Sequence, residues 1–412
     1  MDHGGALSTS RTPLLEDRIR VLVVISSRQV WGLERSVLEV APLLRGLQVD
    51  FSLGSPPGGE LEMAWLELGL PRVPLELPLH AGIRSDGEVG GRPSPSALAT
   101  ELLATARTVR MVARAARPFD IVQSESLWGH VDCALAGLVA KRPVVVELHD
   151  LVAPGMGRRL LSASARLSTA TVAVSTAVAD VVGGGSNAGV RVVPQAVDLQ
   201  RFSPGPADPS VRRMLTDDPG GLLVGIVGRI DPMKGVDVLV RAMALLGGTA
   251  ATARLVVVGS PGLDAGEYER QVRGEAVRLL GQRARFVGPR ADVPEVLRCL
   301  DVLVNASAAE PFGLSVLEAQ ASGVPVVAPS SGGIPEFVKN GDNGLLITPG
   351  DPQALARALE HLLGDVALRE RLGRRGRETT VAEHGLEKRA ATLAEIYRAV
   401  ARRRPAPWGR RR

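Results

Sequence analysis

From Ile19 to Ile25 the chain is apolar almost without a break, and apolar residues then return at Leu33, Val37, Val40 and Leu44. An unbroken apolar run suits the middle of a parallel sheet, and spacing by three or four marks one face of a helix. The alternation repeats. Strands are predicted over 49–53, 120–123, 144–148, 171–174 and 190–193, with helices over 61–68, 97–116, 131–139 and 160–167. Strands alternating with helices predict a doubly wound parallel sheet. Residues 198–221 turn rich in Pro, Asp and Gly and read as a domain linker. A second alternation follows, with strands over 222–227, 254–258, 285–287, 301–307 and 324–328 and helices over 236–246, 268–280 and 293–300. Helical segments at 352–363 and 387–402 close the chain. The pattern therefore predicts an α/β protein with two doubly wound domains, and ligands between the facing carboxyl ends of their strands.

Length agrees with two domains, since 412 residues exceed what one core usually supports. Residues 1–18 are polar and aperiodic and read as a disordered extension. They lack the pattern of a signal peptide, and no apolar run approaches a membrane span, so a cytoplasmic location is expected. The net charge of +5 and the 3% aromatic content argue against nucleic acid as a partner. Basic charge concentrates only in the tail 402–412, which reads either as solvated or as a peripheral contact with anionic membrane. Lysine occurs only at Lys141, Lys234, Lys339 and Lys388. Such an arginine-heavy composition points to a gene of high GC content. Cys133 and Cys299 sit in apolar helical stretches and read as buried thiols. The Gly- and Pro-rich stretch 80–95 reads as a mobile loop near the cleft, either acceptor-binding or ordinary surface.

Two stretches carry candidate chemistry. The segment Glu310-Pro311-Phe312-Gly313-Leu314-Ser315-Val316-Leu317-Glu318 follows a predicted strand and opens a helix marked by Leu314, Leu317 and Ala321. Its start presents unpaired N–H groups, which attract phosphate, while its two carboxylates can accept hydrogen bonds from vicinal hydroxyls. The other stretch, from Gly228 to Gly235, also lies between strand and helix and carries Arg229 and Lys234, a plausible diphosphate clamp. No P-loop and no D-x-D pair occur, so these cations would carry the leaving-group charge, with no metal and no cofactor. Trp31-Gly32-Leu33-Glu34 opens the first helix, where Gly32 could let backbone amides approach a phosphate. Gly183-Gly184-Gly185-Ser186 follows a helix and reads as a turn.

Together with Phe286-Val287-Gly288, the run 321–328, Gly332-Gly333-Ile334-Pro335-Glu336 and Asn343-Gly344-Leu345-Leu346, the stretches 228–235 and 310–318 resemble the retaining glycosyltransferases of family 4, also called glycosyl transferases group 1. Weaker likeness appears in Gly32-Leu33-Glu34-Arg35, in Glu147-Leu148-His149-Asp150, in 172–175 and in 193–198. The resemblance implies the GT-B fold, two Rossmann-like domains facing a cleft. It assigns 19–200 to acceptor binding, 201–385 to the nucleotide-sugar donor and 386–412 to a returning helix and basic tail. Glu310 would bind the donor sugar's hydroxyls, the backbone from Phe312 to Leu314 would hold that sugar, and Ser315 and Val316 would meet the phosphates. Glu318 would take the ribose, Arg229 and Lys234 the diphosphate, and Val287 the base. Gly32 would approach the diphosphate and His149 the transferred sugar. The family commonly has two glycines where Trp31-Gly32 stands, and usually Pro-Asn-Gly-Val-Asp where Pro194-Gln195-Ala196-Val197-Asp198 stands.

The implied reaction is transfer from a nucleoside diphosphate sugar, UDP before GDP, to a small-molecule or lipid-linked acceptor hydroxyl. Lipid or cell-envelope glycans, thiol precursors and natural-product scaffolds are the acceptor classes. A sugar-nucleotide epimerase or glucan phosphorylase of the same architecture is the enzymatic alternative; a non-catalytic sugar-nucleotide sensor is the alternative of another class.

Overall fold

The computed structural model describes residues 18–77, 95–183, 189–262 and 265–402. The extension before residue 18, most of the loop 80–95, Gly184 to Ser186 and the tail beyond 402 lie outside them.

Among the described residues, thirteen strands form two sheets. The first contains β1 (Ile19–Val24), β2 (Val49–Ser55), β3 (Arg72–Pro74), β4 (Ile121–Ser124), β5 (Val144–Leu148), β6 (Ala170–Ala173) and β7 (Val190–Val192). The second contains β8 (Leu223–Val227), β9 (Arg254–Val258), β10 (Ala284–Gly288), β11 (Val302–Val304), β12 (Val326–Pro329) and β13 (Leu345–Ile347). All pairings are parallel, in the orders β3-β2-β1-β4-β5-β6-β7 and β10-β9-β8-β11-β12-β13. Strand order reverses between β1 and β4 and again between β8 and β11, where the connections diverge to opposite faces and leave a crevice at the carboxyl ends. The central strands are valine-rich and largely buried because helices cover both faces, which is why they read as near-continuous apolar runs.

The last helix, Leu386–Arg402, returns from the second sheet to the first. It packs on the helix Gly32–Gly46, and its fully buried Tyr397 meets Phe51 edge-on at 5.6 Å. The segment connecting the sheets is pinned by Arg377, whose guanidinium donates to the carbonyls of Phe202, Ala321 and Leu199.

Several elements depart from the sequence reading. The linker 198–221 contains a short helix, Pro209–Leu215, whose first N–H groups are accepted by the Asp208 carboxylate. The strand expected over 301–307 ends at Val304, and the next three residues form a loop. The helix Val366–Glu383 was not anticipated. Its charged sequence and internal glycines conceal it, yet Gly373 is where it crosses the turn at Gly323: a Cβ there would stand 2.1 Å from the Gly323 carbonyl oxygen. Edge strands β3 and β13, three residues each, were likewise too short to show a period. Among the described residues no helix is long and apolar enough to cross a membrane.

Candidate functional site

Because β8 and β11 are neighbours at the order reversal, the loops leaving their ends emerge side by side. After β8 the chain makes a tight turn, Pro232–Lys234, capped by Asp231, whose carboxylate accepts from the Lys234 amide at 3.1 Å. Gly235 then adopts φ 64° and turns into the helix Val236–Leu245; a Cβ on it would lie 2.1 Å from the Ala306 carbonyl oxygen. Only glycine lets this loop lie directly on the exit of β11.

That approach brings Lys234 to Glu310. The ammonium donates to both carboxylate oxygens, at 3.0 Å to Oε1 and 2.8 Å to Oε2. Oε2 also accepts from Ser307 Oγ at 2.8 Å and Asn305 Nδ2 at 3.2 Å. Burial pushes the Glu310 carboxyl up, but Lys234 and these hydrogen bonds outweigh burial and hold it below its ordinary value. Glu310 is therefore a buried anion whose Oε1, with one protein donor, keeps room for a hydroxyl.

Gly313, at φ 109°, caps the helix Leu314–Ala321. The Phe312 ring stacks on Phe337 at 4.9 Å and Val316 is fully buried, so these two residues can offer a ligand only their backbone. Ser315 is half-buried. From the opposite domain, Gly32 comes so near that a Cβ would sit 3.3 Å from Leu314 Cδ1. Thus the start of the first helix faces the start of this one. Arg229 pairs with Asp231 at 3.2 Å and lies 6.0 Å from the Trp31 ring centroid, also across the cleft. Val287 stands near the end of β10, with β9 between it and β8.

Glu318 is buried one turn into its helix and accepts from Arg35 Nη1 of the opposite domain at 3.1 Å. Burial raises its carboxyl above the ordinary value despite the opposing pull of Arg35 and Arg201. Glu39, one turn after Arg35, lies 3.9 Å from Arg201. Burial, and then the charge of Glu318, push it to about 7.

His149 follows β5 in a separate buried network. Its Nε2 is 2.7 Å from Glu125 Oε2 and its Nδ1 is 3.3 Å from Gln195 Nε2. Burial lowers its pKa, but the carboxylates of Glu125, Glu147 and Asp150 overcome this and raise it. Among the described residues no hydrogen bond or ion pair joins His149 to Glu310 or Lys234. Glu125, Glu147 and His149 are close enough to form a metal-ligand cluster, yet Arg389 and Gln123 already occupy the carboxylates. The sequence reading missed this network, which continues to Tyr397. Its one visible signal was charged and polar residues at the buried ends of apolar strands.

The domains also touch beside the cleft. Ser175 Oγ donates to the Pro311 carbonyl at 2.7 Å, and the Glu336 carboxylate accepts from the amides of Thr176 and Ala177, at 2.9 and 3.1 Å. One domain thereby caps a helix start in the other.

Comparison with known proteins adds family and fold. Residues 210–379 match the family described as glycosyl transferases group 1, and residues 30–201 match glycosyltransferase family 4. The D-inositol 3-phosphate glycosyltransferase of Stackebrandtia nassauensis is 42% identical over 191 residues, 44% of this chain and 43% of the relative. The enzyme of the same name from Salinispora tropica is 36% identical over 220 residues, 50% and 45% of the two chains. The chain spans about half the length of the curated relatives it matches. The crystal structure of Anabaena HepE with UDP-glucose superposes with a TM-score of 0.79 at 23% identity, covering 93% of this chain and all of that one. Sucrose-phosphate synthase from Thermosynechococcus elongatus gives 0.74 at 21%, covering 93% and 99%.

Proposed function

The chain belongs to glycosyltransferase family 4 and has the GT-B fold, and from that premise we propose that it transfers a sugar from a nucleoside diphosphate sugar to an acceptor hydroxyl, with retention at the anomeric carbon and without a metal. The observation that carries this reading is the pairing of Lys234 with Glu310 at the β8/β11 crevice, beside a helix start.

Breaking the glycosidic bond places negative charge on the departing diphosphate and positive charge on the sugar ring. Lys234, Arg229 and the amides after Gly313 offer fixed charge to the first, and the Glu310 anion opposes the second. Glu310 Oε1 takes a sugar hydroxyl, Glu318 the ribose hydroxyls, and Ser315 and Val316 meet the phosphates through their backbone. Gly32 approaches those phosphates from the other domain, and Val287 stands beside the base. The acceptor enters on the same face as the leaving phosphate, one of whose oxygens takes the acceptor's proton as the new bond forms. His149, already bonded at both nitrogens, reaches the transferred sugar only by exchanging a partner. Closure of the two domains excludes water, the competing acceptor.

UDP is the first donor base to test, since HepE was crystallised with UDP-glucose. The names of the curated relatives make inositol phosphate the first acceptor to test, beside lipid-linked glycans and small metabolites. The test is a screen of UDP-, GDP-, ADP- and dTDP-sugars by thermal shift and by slow donor hydrolysis. One donor should stabilise the protein and be hydrolysed; donor binding with neither hydrolysis nor transfer would instead support a sensor.

A further inference from the structure

On the first domain, far along the chain from the donor loops, the helix Pro95–Ala115 packs one face against the helix His130–Ala140. Its buried positions include Thr108 and Val112, with buried Ala116 just past its end. The opposite face carries Leu103, Arg107, Arg110 and Arg114, with Arg117 just beyond the helix end, all exposed. These positions recur at alternating steps of four and three, so they form one stripe. Beside the stripe runs a groove with an apolar lining that includes Val73, Met111 and Val139. Leu103 and Val139 are 73% and 65% exposed.

Elsewhere in the molecule arginines are commonly neutralised, as in Arg35 with Glu318, Arg241 with Glu275, Arg285 with Asp217 and Arg389 with Glu147. Among the described residues none of the four guanidiniums of the stripe has a carboxylate within ion-pair reach. Like charges at such spacing repel and weaken a helix, so the stripe works against local stability. It complements an extended anionic surface. The aliphatic flank decides which one: among the described residues no aromatic ring lines the groove to stack a base, whereas exposed Leu and Val beside arginine match the boundary between lipid headgroups and acyl chains.

We propose that this face docks on an anionic lipid bilayer. Arginines 107, 110, 114 and 117 bind headgroup phosphates, while Leu103 and Val139 enter the acyl boundary. Thr108, on the inner side of the same helix, lines a small crevice with Ser26 and Ser126 at the carboxyl ends of β1 and β4. Docking therefore sets that crevice roughly one helix diameter, about 10 Å, from the bilayer.

The test is co-sedimentation of the full chain with vesicles of phosphatidylcholine alone and of phosphatidylcholine mixed equally with phosphatidylglycerol. The protein should bind the mixed vesicles only. Replacing Arg107, Arg110 and Arg114 together by Ala should weaken that binding by on the order of a hundredfold, and replacing them by Lys should preserve most of it. Helical content and donor binding should stay as in the unaltered protein, and deletion of residues 403–412 should leave the vesicle binding in place. Failure to bind, equal binding to neutral vesicles, an unaffected triple Ala variant, or loss on tail deletion alone would overturn the proposal. So would a dimer that the triple variant dissolves, which would give this face to a second copy of the chain.

Discussion

Lys234 and Glu310 stand 76 positions apart and meet at hydrogen-bond distance. Residue type and position relative to a strand end sufficed to pick both out, because the order reversal places β8 beside β11. Their mutual bond was not legible, since it depends on Gly235 letting one loop rest on the other. On the proposed reaction, truncating either residue leaves its partner without its counter-charge and removes preorganised charge, from the leaving diphosphate for Lys234 and from the sugar for Glu310. Lys234→Ala and Glu310→Ala should each reduce turnover by on the order of a hundredfold or more, measured as donor hydrolysis, with circular dichroism unchanged. Glu39 makes a different prediction. Its folded pKa of about 7 exceeds the ordinary 4.5, so the folded state binds its proton more tightly. The stability this confers is fully present below the unfolded pKa and is lost as pH rises through about 7, by up to about 3 kcal/mol. Urea unfolding at several pH values should show Glu39→Gln gaining on the unaltered protein across that window; parallel curves would remove Glu39 as the cause.

At the scale of elements, the valine-rich strands were readable because burial on both faces leaves few polar positions in them, and in β4 and β5 only toward their ends. The helix Val366–Glu383 was not, since a surface helix held by Leu368, Leu372 and close glycine crossings carries little apolar period. Gly373 sits where the crossing is tightest. Gly373→Ala should drive a Cβ into the Gly323 carbonyl and cost about 1–3 kcal/mol, read as a lower midpoint in urea with the slope unchanged. Substituting Ala at Gly364, where no atom lies within 4 Å of the added Cβ, is the control and should cause no comparable loss. His149 teaches the converse. The sequence marked it as a side chain after a strand, while the structure ties both its nitrogens into a network that includes Glu125 and Gln195.

For the whole molecule, two sheets face each other and the final helix bridges back to the first. Arg389 on that helix is ion-paired with buried Glu147 and donates to the carbonyls of Val193 and Pro194, so the returning segment grips the polar layer beneath the cleft. Strand–helix alternation predicted the two sheets; the interdomain bonds of Arg35 with Glu318 and of Thr176 with Glu336 left no local trace, because their partners belong to different domains. The central claim is that the crevice at β8 and β11 holds a nucleoside diphosphate by charge. Isothermal titration of UDP and GDP against the unaltered protein and Lys234→Ala tests it most directly. One nucleotide should bind, and the variant should lose at least about tenfold in affinity, the worth of one charge-assisted hydrogen bond. Equal affinity in both proteins, with the fold intact, would contradict the account.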